Sequence, residues 1–503
     1  MKRGLETTVV KIRHEIFKEI AKVAFETPSD RVKDEIEALP YRLTPAEEPK
    51  YCESVYRERA IVSERLRLAM GLSLRPEDKP VHITSGVDQS NISDKYYEPP
   101  LMQVIPSACA LCEDNVYEVS NQCRGCVAKA CVSSCPKDAI KVVKGKAVID
   151  REKCIRCGKC KAACPYDAIA HKVRPCSAAC GIKAVGTDEH GRAKIDNEKC
   201  VGCGQCMVSC PFGAIADKSQ IFQLIQSIKK GDYVVAELAP SVVGQFGDGV
   251  TPAIVKGALL DIGFKEVHEV ASGADVGAAT EAHQYVNEVV SGELPFLLTS
   301  CCPAWAMLAK KQFPQLIGQV SQALTPMVAT ARRIKQRTPQ ARVVFIGPCA
   351  AKKLEASRMT VRSDVDFVIT FEELSGIFAA KEIDFNNYKG ERSIHEATGA
   401  GRGYAVAGGV ASAIERCIKE YYPGVEVKIE HAEGLEECKK MLLLAKAGKK
   451  NGCLIEGMGC PGGCIAGAGT NISVEKAARE VQKLVQNSSK PLPEKDLYEI
   501  ELP

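Results

Sequence analysis

The sequence predicts an α/β domain with largely parallel sheets over its C-terminal half, preceded by small α+β cysteine-rich units and a helical N-terminal segment. Three observations carry this. From about residue 219, apolar runs (DYVVAELAP, LPFLLTS, ARVVFIGP, VDFVITF, NGCLIEG) alternate with helical patterns such as VASAIERCIKEYY, as parallel strands joined by helices do. Sixteen of the 25 cysteines crowd between Cys109 and Cys210. Residues 1–105 hold one cysteine, Cys52, and read as charged helices (KIRHEIFKEIAKVAF, YCESVYRERAIVSERLRLAMGL) that end in an aperiodic linker, TSGVDQSNISDKYYEPP.

The expected boundaries are therefore 1–105, 106–172, 173–218 and 219–503, well within what 503 residues can fold as separate cores. A formal charge of +4 is too small to imply nucleic acid. No apolar stretch approaches the ~18 residues of a membrane span, and the opening segment has no apolar export core. The expected location is cytoplasmic, where many cysteines argue for metal or redox chemistry rather than disulfides.

The cysteine-dense region contains an internal repeat. Cys154, Cys157, Cys160 and Cys164 form C-x2-C-x2-C-x3-C-P, as do Cys200, Cys203, Cys206 and Cys210; Cys123, Cys126, Cys131 and Cys135 form a wider variant. Each run ends in the same tail, PKDAI, PYDAI or PFGAI. This is the bacterial ferredoxin signature, in which three close thiolates hold one 4Fe–4S cubane and the fourth crosses to its neighbour. Zinc knuckles also pair cysteines, but they need no triplets ending in Cys-Pro. Crossed ligation gives Cys123, Cys126, Cys131 and Cys164 one cluster, and Cys154, Cys157, Cys160 and Cys135 a second. The tail after Cys135 is echoed after Cys180, so a second ferredoxin-like unit begins near residue 173. Its cluster takes Cys200, Cys203, Cys206 and Cys180. Cys176, Cys210 and the pair Cys109 and Cys112 remain, enough for a fourth accessory cluster by arithmetic; a structural knuckle or buried thiols at Cys109 and Cys112 is the alternative.

Three further motifs lie where predicted strands run into loops, the edge at which parallel sheets gather ligands: TSCCPAW (Thr299–Trp305), GPCAAKKLE (Gly347–Glu355) and EGMGCPGGCIAGAG (Glu456–Gly469). Cys302, Cys349, Cys460 and Cys464 supply four thiolates for one more cubane. Cys52, Cys417, Cys438 and Cys453 read as packed thiols, and Trp305 as core. GAGRGYAVAGGV lacks the third glycine of a nucleotide fingerprint, at Tyr404, and reads as a tight turn into a helix.

In order and spacing, these three motifs resemble the signatures of the iron-iron (FeFe) hydrogenases, and the ferredoxin-like units resemble the accessory domain of their longer members. The resemblance implies a catalytic domain of two lobes, with Cys302, Cys349, Cys460 and Cys464 holding the cubane of the H-cluster. Cys464 would bridge to a two-iron subcluster carrying carbon monoxide, cyanide and a dithiolate amine, built by H-cluster maturation proteins. Cys301 would be a proton relay, with Glu281 and Ser321, and Thr325 falls at a further plausible relay position. Lys352 would hold one cyanide, the turn Ala239-Pro240-Ser241 the other, and Met458 would pack on the two-iron unit. The activity implied is reversible proton reduction to hydrogen, with electrons from ferredoxin or a similar low-potential carrier. A non-catalytic relative, a hydrogen sensor or an iron–sulfur assembly scaffold, is the alternative; scaffolds need neither Cys301 nor Lys352. The chain departs from better-known members at Gly347 (methionine there), Met327 (glutamine there), GADVGAATEA and Gln284, an amide where an acidic relay is expected.

Overall fold

The computed structural model describes residues 4–45, 49–394 and 397–499. Its fifteen strands in chain order are β1 (Met102–Val104), β2 (Val116–Val119), β3 (Ile140–Val143), β4 (Lys146–Ile149), β5 (Ile169–Lys172), β6 (Val185–Thr187), β7 (Ala193–Ile195), β8 (Ile215–Asp217), β9 (Val234–Leu238), β10 (Glu266–Glu269), β11 (Leu297–Leu298), β12 (Arg342–Gly347), β13 (Phe367–Thr370), β14 (Lys428–Glu433) and β15 (Cys453–Met458). The C-terminal half is two parallel sheets, of order β10-β9-β12-β13 and β11-β15-β14. Each of the five apolar runs forms a strand; β10 and β14 carry more polar residues and escape that reading. β9 and β15 are buried along their whole length, as interior parallel strands covered by helices must be.

The short strands of the cysteine-rich region pair antiparallel, β2 with β5, β3 with β4 and β6 with β7. The tails shared by the repeat have a structural cause. In each, the alanine four residues after a cysteine donates its N–H to that sulfur: Ala139 to Cys135 (3.3 Å), Ala168 to Cys164 (3.4 Å), Ala184 to Cys180 (3.1 Å) and Ala214 to Cys210 (3.4 Å).

The N-terminal helices do not form a detached arm. Helix Thr8–Glu26 packs against helix Phe371–Ala380 so closely that a Cβ on Gly376 would stand 2.5 Å from that of Phe17. Ile16, Phe17 and Ile20 join the core of the four-stranded sheet. The expected linker is likewise tied down. Lys95 donates to the carbonyls of Ala356 (2.7 Å), Arg362 (3.1 Å) and Val365, and β1 pairs with β8. Helix Val55–Ala69 reaches the cysteine-rich region through buried Arg65, which donates to Gly213 O at 2.8 Å. At the junction, fully buried Lys353 bonds to Asp217 and Glu373, each at 2.7 Å.

Trp305, the single tryptophan, is fully buried and donates its indole N–H to Thr299 O at 3.1 Å. Its ring presses on β15, where a Cβ at Gly457 would come within 2.1 Å of it. Gly457→Ala should therefore lower stability by about 1–3 kcal/mol, the usual cost of overpacking a core. Urea unfolding followed by Trp305 emission checks this, and an unchanged midpoint would mean the ring can move aside.

Candidate functional site

The site lies where the two sheets turn the carboxyl ends of their strands toward each other. β9 runs into Ala239-Pro240-Ser241, β11 into Thr299–Cys302, β12 into Pro348 and Cys349, and β15 into Gly459 and Cys460. One cavity is lined by Ala239, Pro240, Ser241, Cys301, Cys302, Cys349, Lys352, Met458, Cys460 and Cys464, together with Met327, Phe345 and Tyr404. Glycine makes this convergence possible. A Cβ on Gly467 would lie 2.3 Å from Pro348 O, and one on Gly469 2.3 Å from Thr370 Cβ. Gly459 N–H donates to Cys302 Sγ at 3.3 Å.

Lys352 is buried and bonds Glu355 at 2.7 Å. Burial alone would lower its pKa, but Glu355 and the sulfurs of Cys349 and Cys464 outweigh that and raise it, so the ammonium stays charged. A second carboxyl, Glu237 on β9, lies near this pair with both oxygens buried and no hydrogen-bond partner. Burial pushes it well above the ordinary range, against the pull of Lys352. The absence of a side chain at Gly347 also has a local reason. A Cβ there would fall 2.5 Å from the Phe345 ring, which occupies that wall of the cavity.

Behind Cys301, Glu281 accepts from the Ser300 N–H (2.9 Å) and hydroxyl (3.2 Å). Burial pushes the Glu281 carboxyl up to about 7, opposed by its bonds from Ser300 and Ser321. Burial also raises the Cys301 thiol, and the charge of Glu281 raises it further. Ser321 donates to Gln284 Oε1 at 3.0 Å, and Gln284 Nε2 donates to Glu288 at 2.8 Å. The helix Ala271–Gln284 continues as a π-helical turn, Tyr285–Val290, and Glu288 there is partly exposed. A polar chain thus runs from Glu281 past Ser321 and Gln284 toward the surface. Thr325 lies outside it, its hydroxyl buried without a partner. The glycines near 401 serve packing: a Cβ on Gly401 would meet Ala271 O at 2.3 Å, and Asp275 accepts from its N–H at 3.0 Å.

The accessory cysteines fall into sets. Cys123, Cys126, Cys131 and Cys164 line one cavity, and Cys109, Cys112, Cys176 and Cys210 line another. Cys154, Cys157 and Cys160 are mutual neighbours, and Cys135 packs in the same apolar cluster as Cys160. Cys206 neighbours Cys200 and Cys180, and Cys203 neighbours Cys200, Cys206 and Cys460. The third set touches the main cavity directly, through Gln205 Nε2 on Cys460 Sγ at 3.3 Å. Gly204 permits this approach, since a Cβ there would lie 2.4 Å from that of Ala468. Among the described residues, no three His, Cys, Asp or Glu side chains close on a point as a single ion requires. Cys417, Cys438 and Cys453 are buried, whereas Cys52 is partly exposed.

Sequence reasoning passed over Glu237, Ser300, Glu288, Tyr404 and Phe345 as site residues. A carboxylate within the apolar run of β9, and a Gln284–Glu288 spacing of one helical turn, were the available signals. Phe345 and Tyr404 gave none.

The donor set suits a thiolate-held cluster with anionic ligands: four convergent cysteines, a buried ammonium, and a Ser241 hydroxyl buried without a partner in the cavity wall. This is an iron–sulfur redox protein. Residues 232–468 match the iron only hydrogenase large subunit, C-terminal domain, and residues 147–170 and 193–216 match the 4Fe-4S binding domain. Residues 232–468 thus belong to an FeFe-hydrogenase-like family, preceded by 4Fe–4S ferredoxin-type domains. Iron hydrogenase 1 of Clostridium pasteurianum is 28% identical over 388 residues, 66% of this chain and 67% of that protein. Cytosolic Fe-S cluster assembly factor NAR1 of Kluyveromyces lactis is 38% identical over 95 residues, 19% of this chain and 20% of that one. A solved FeFe-hydrogenase, HydA1 of Chlamydomonas reinhardtii, aligns at 22% identity and a TM-score of 0.44, over 52% of this chain and 86% of that one. No described helix is long and apolar enough to cross a membrane.

The Glu281 carboxyl, pushed up from the ordinary 4.5 to about 7, holds protons in the folded chain that the unfolded chain releases. Its contribution to stability therefore falls as pH rises from about 4.5 to about 7. Glu281→Gln should remove that slope, gaining roughly 3 kcal/mol relative to the native chain between pH 5 and 8. Urea midpoints at the two pH values measure it; parallel slopes would mean that the carboxyl ionises normally.

Proposed function

We propose that the chain catalyses the reversible reduction of protons to hydrogen, drawing electrons from a ferredoxin-like low-potential carrier. One observation carries the reading: Cys301, a thiol beyond the four a cubane requires, and charged Lys352 line the same cavity as Cys302, Cys349, Cys460 and Cys464. Those four cysteines would hold the cubane, and Cys464 would bridge to the two-iron unit. The bound H-cluster, with its carbon monoxide, cyanide and dithiolate amine, supplies the redox chemistry of hydrogen. Lys352, fixed by Glu355, would hold one cyanide through its ammonium, and the Ser241 hydroxyl, buried without a partner, would hold the other. The Cys301 thiol exchanges a proton with Glu281, whose carboxyl is tuned to near neutrality. Ser321, Gln284 and Glu288 extend that relay outward. The clusters that the accessory cysteine sets would hold would pass electrons inward, the third set lying beside Cys460 through Gln205. A reducing, cytoplasmic setting would suit so many cluster-ligating cysteines, and assembly would call on H-cluster maturation proteins.

The likeness to an assembly factor favours a second reading, a non-catalytic iron–sulfur scaffold. Supplying a synthetic two-iron complex to the iron–sulfur-loaded protein separates the two. The hydrogenase should acquire cyanide and carbonyl infrared bands and evolve hydrogen from a reduced dye; a chain that acquires neither is a scaffold. Lys352→Ala should keep the iron of its cubane yet fail to retain the two-iron unit, with hydrogen evolution falling at least about a hundredfold.

Four accessory clusters are proposed, the fourth held by Cys109, Cys112, Cys176 and Cys210. Cys109→Ser with Cys112→Ser should remove about four irons per chain, one cubane. Undiminished iron would make that pair structural.

A further inference from the structure

The two ferredoxin-like units share one fold but turn the same face to different surroundings. In the second unit, Val201, Gly202 and Met207 are buried: a Cβ on Gly202 would meet the Leu354 side chain at 2.5 Å, and Gln205 bonds Cys460. That face is the contact through which the second unit meets the catalytic cysteines. Aligning the two C-x2-C-x2-C-x3-C-P runs puts Ile155, Arg156, Lys159 and Lys161 at the corresponding positions of the first unit. All four are exposed there, and Cys157 between them is the only exposed thiol of the 25.

Charge distinguishes the same unit. Residues 106–172 contain twelve Lys and Arg against seven Asp and Glu, whereas 173–218 contain six against five. With a whole-chain charge of +4, the excess is concentrated in the first unit. The shared fold does not require it, because the second unit folds with near balance, and crowded like charges oppose compactness. Lys153, Arg156, Lys159 and Lys161 form no ion pair among the described residues. Ile155, 55% exposed, adds apolar contact beside the cations. Basic and apolar groups around an exposed cluster ligand make a surface for an oppositely charged protein that must come close and leave again.

We infer that this face, centred on Cys157 and carrying Arg156, Lys159 and Lys161, is the docking surface for a small, strongly acidic iron–sulfur electron carrier. The inference rests on the oxidoreductase reading and gives its carrier a charge and a place. In the transfer, one electron leaves the carrier's reduced cluster and enters the cluster proposed at Cys154, Cys157, Cys160 and Cys135. The carrier is oxidised by one electron, this chain is reduced by one, and no bond or proton changes.

The test is stopped-flow reduction of the full chain, loaded with iron–sulfur clusters but lacking the two-iron unit, by a reduced acidic two-cluster ferredoxin. Because no hydrogen is made, failure here is distinct from failure of the hydrogenase reading. The rate should fall about tenfold or more on raising salt from 50 to 500 mM, as steered encounters do. Arg156→Glu/Lys159→Glu/Lys161→Glu should lower it by at least about tenfold at low salt. Iron content and visible absorbance establish that the variant still carries its clusters. If it does not, Arg156→Gln/Lys159→Gln/Lys161→Gln decides, with a drop of about threefold or more expected. A salt-independent rate, or a cluster-loaded variant reduced as fast as the native chain, overturns the inference. So does a variant that loses only binding of a single-stranded RNA oligonucleotide, which would make the face a nucleic-acid site.

Discussion

Four cysteines spread over more than 160 residues of chain meet because two parallel sheets turn the carboxyl ends of their strands toward one another. Parallel strands end in the same direction, so every loop that follows them is delivered to one edge. Two such edges in opposition enclose a cavity whose walls come from β9, β11, β12 and β15 at once. The close approach leaves no room for side chains at Gly457, Gly467 and Gly469, where an added Cβ would fall 2.1 to 2.3 Å from its nearest neighbour. Glycine at these positions is thus set by the close approach of the Trp305 ring, Pro348 O and the Thr370 side chain.

The cavity's electrostatics follow from its burial. An ammonium enclosed at Lys352 keeps its charge because Glu355 and nearby sulfurs offset the loss of water. Glu237 sits in the same interior without a bond to either oxygen, and burial raises it well above the ordinary range. Glu281, held by Ser300, is pushed up by burial to about 7. Both carboxyls are thus raised by enclosure, Glu281 against its bonds from Ser300 and Glu237 with no hydrogen bond to oppose burial. The amide of Gln284 cannot titrate, yet it fills its place geometrically, bonded to Ser321 on one side and Glu288 on the other.

Duplication of the ferredoxin-like unit let one architecture serve two surroundings. The N–H of the alanine after Cys135, Cys164, Cys180 or Cys210 meets sulfur in both units, which is why the tail repeats. Positions outside that bonding pattern have diverged with their environment. Gly202 and Met207 answer to the packed catalytic domain, and Arg156 and Lys161 to solvent. The N-terminal helices complete the assembly by packing into the core of the four-stranded sheet and reaching the cysteine-rich region through Arg65.

Local spacing alone determined much about this protein. Cysteine triplets ending in Cys-Pro, the repeated tails, five apolar strand runs and three cysteine loops are short-range patterns, and each corresponds to an element of the fold. The sets at Cys123, Cys126, Cys131 and Cys164, and at Cys109, Cys112, Cys176 and Cys210, could be paired by counting, because the repeat constrains which cysteines remain. Tertiary structure alone decided what long-range packing controls. It turned an apparent linker into a segment bonded to residues 356–365, filled the space beside Gly347 with the Phe345 ring, and buried Glu237 without a partner. It also joined Gln284 to both Ser321 and Glu288. Each of these depends on which atoms exclude water from a given point, and that is a property of residues distant in the chain, invisible to any local window.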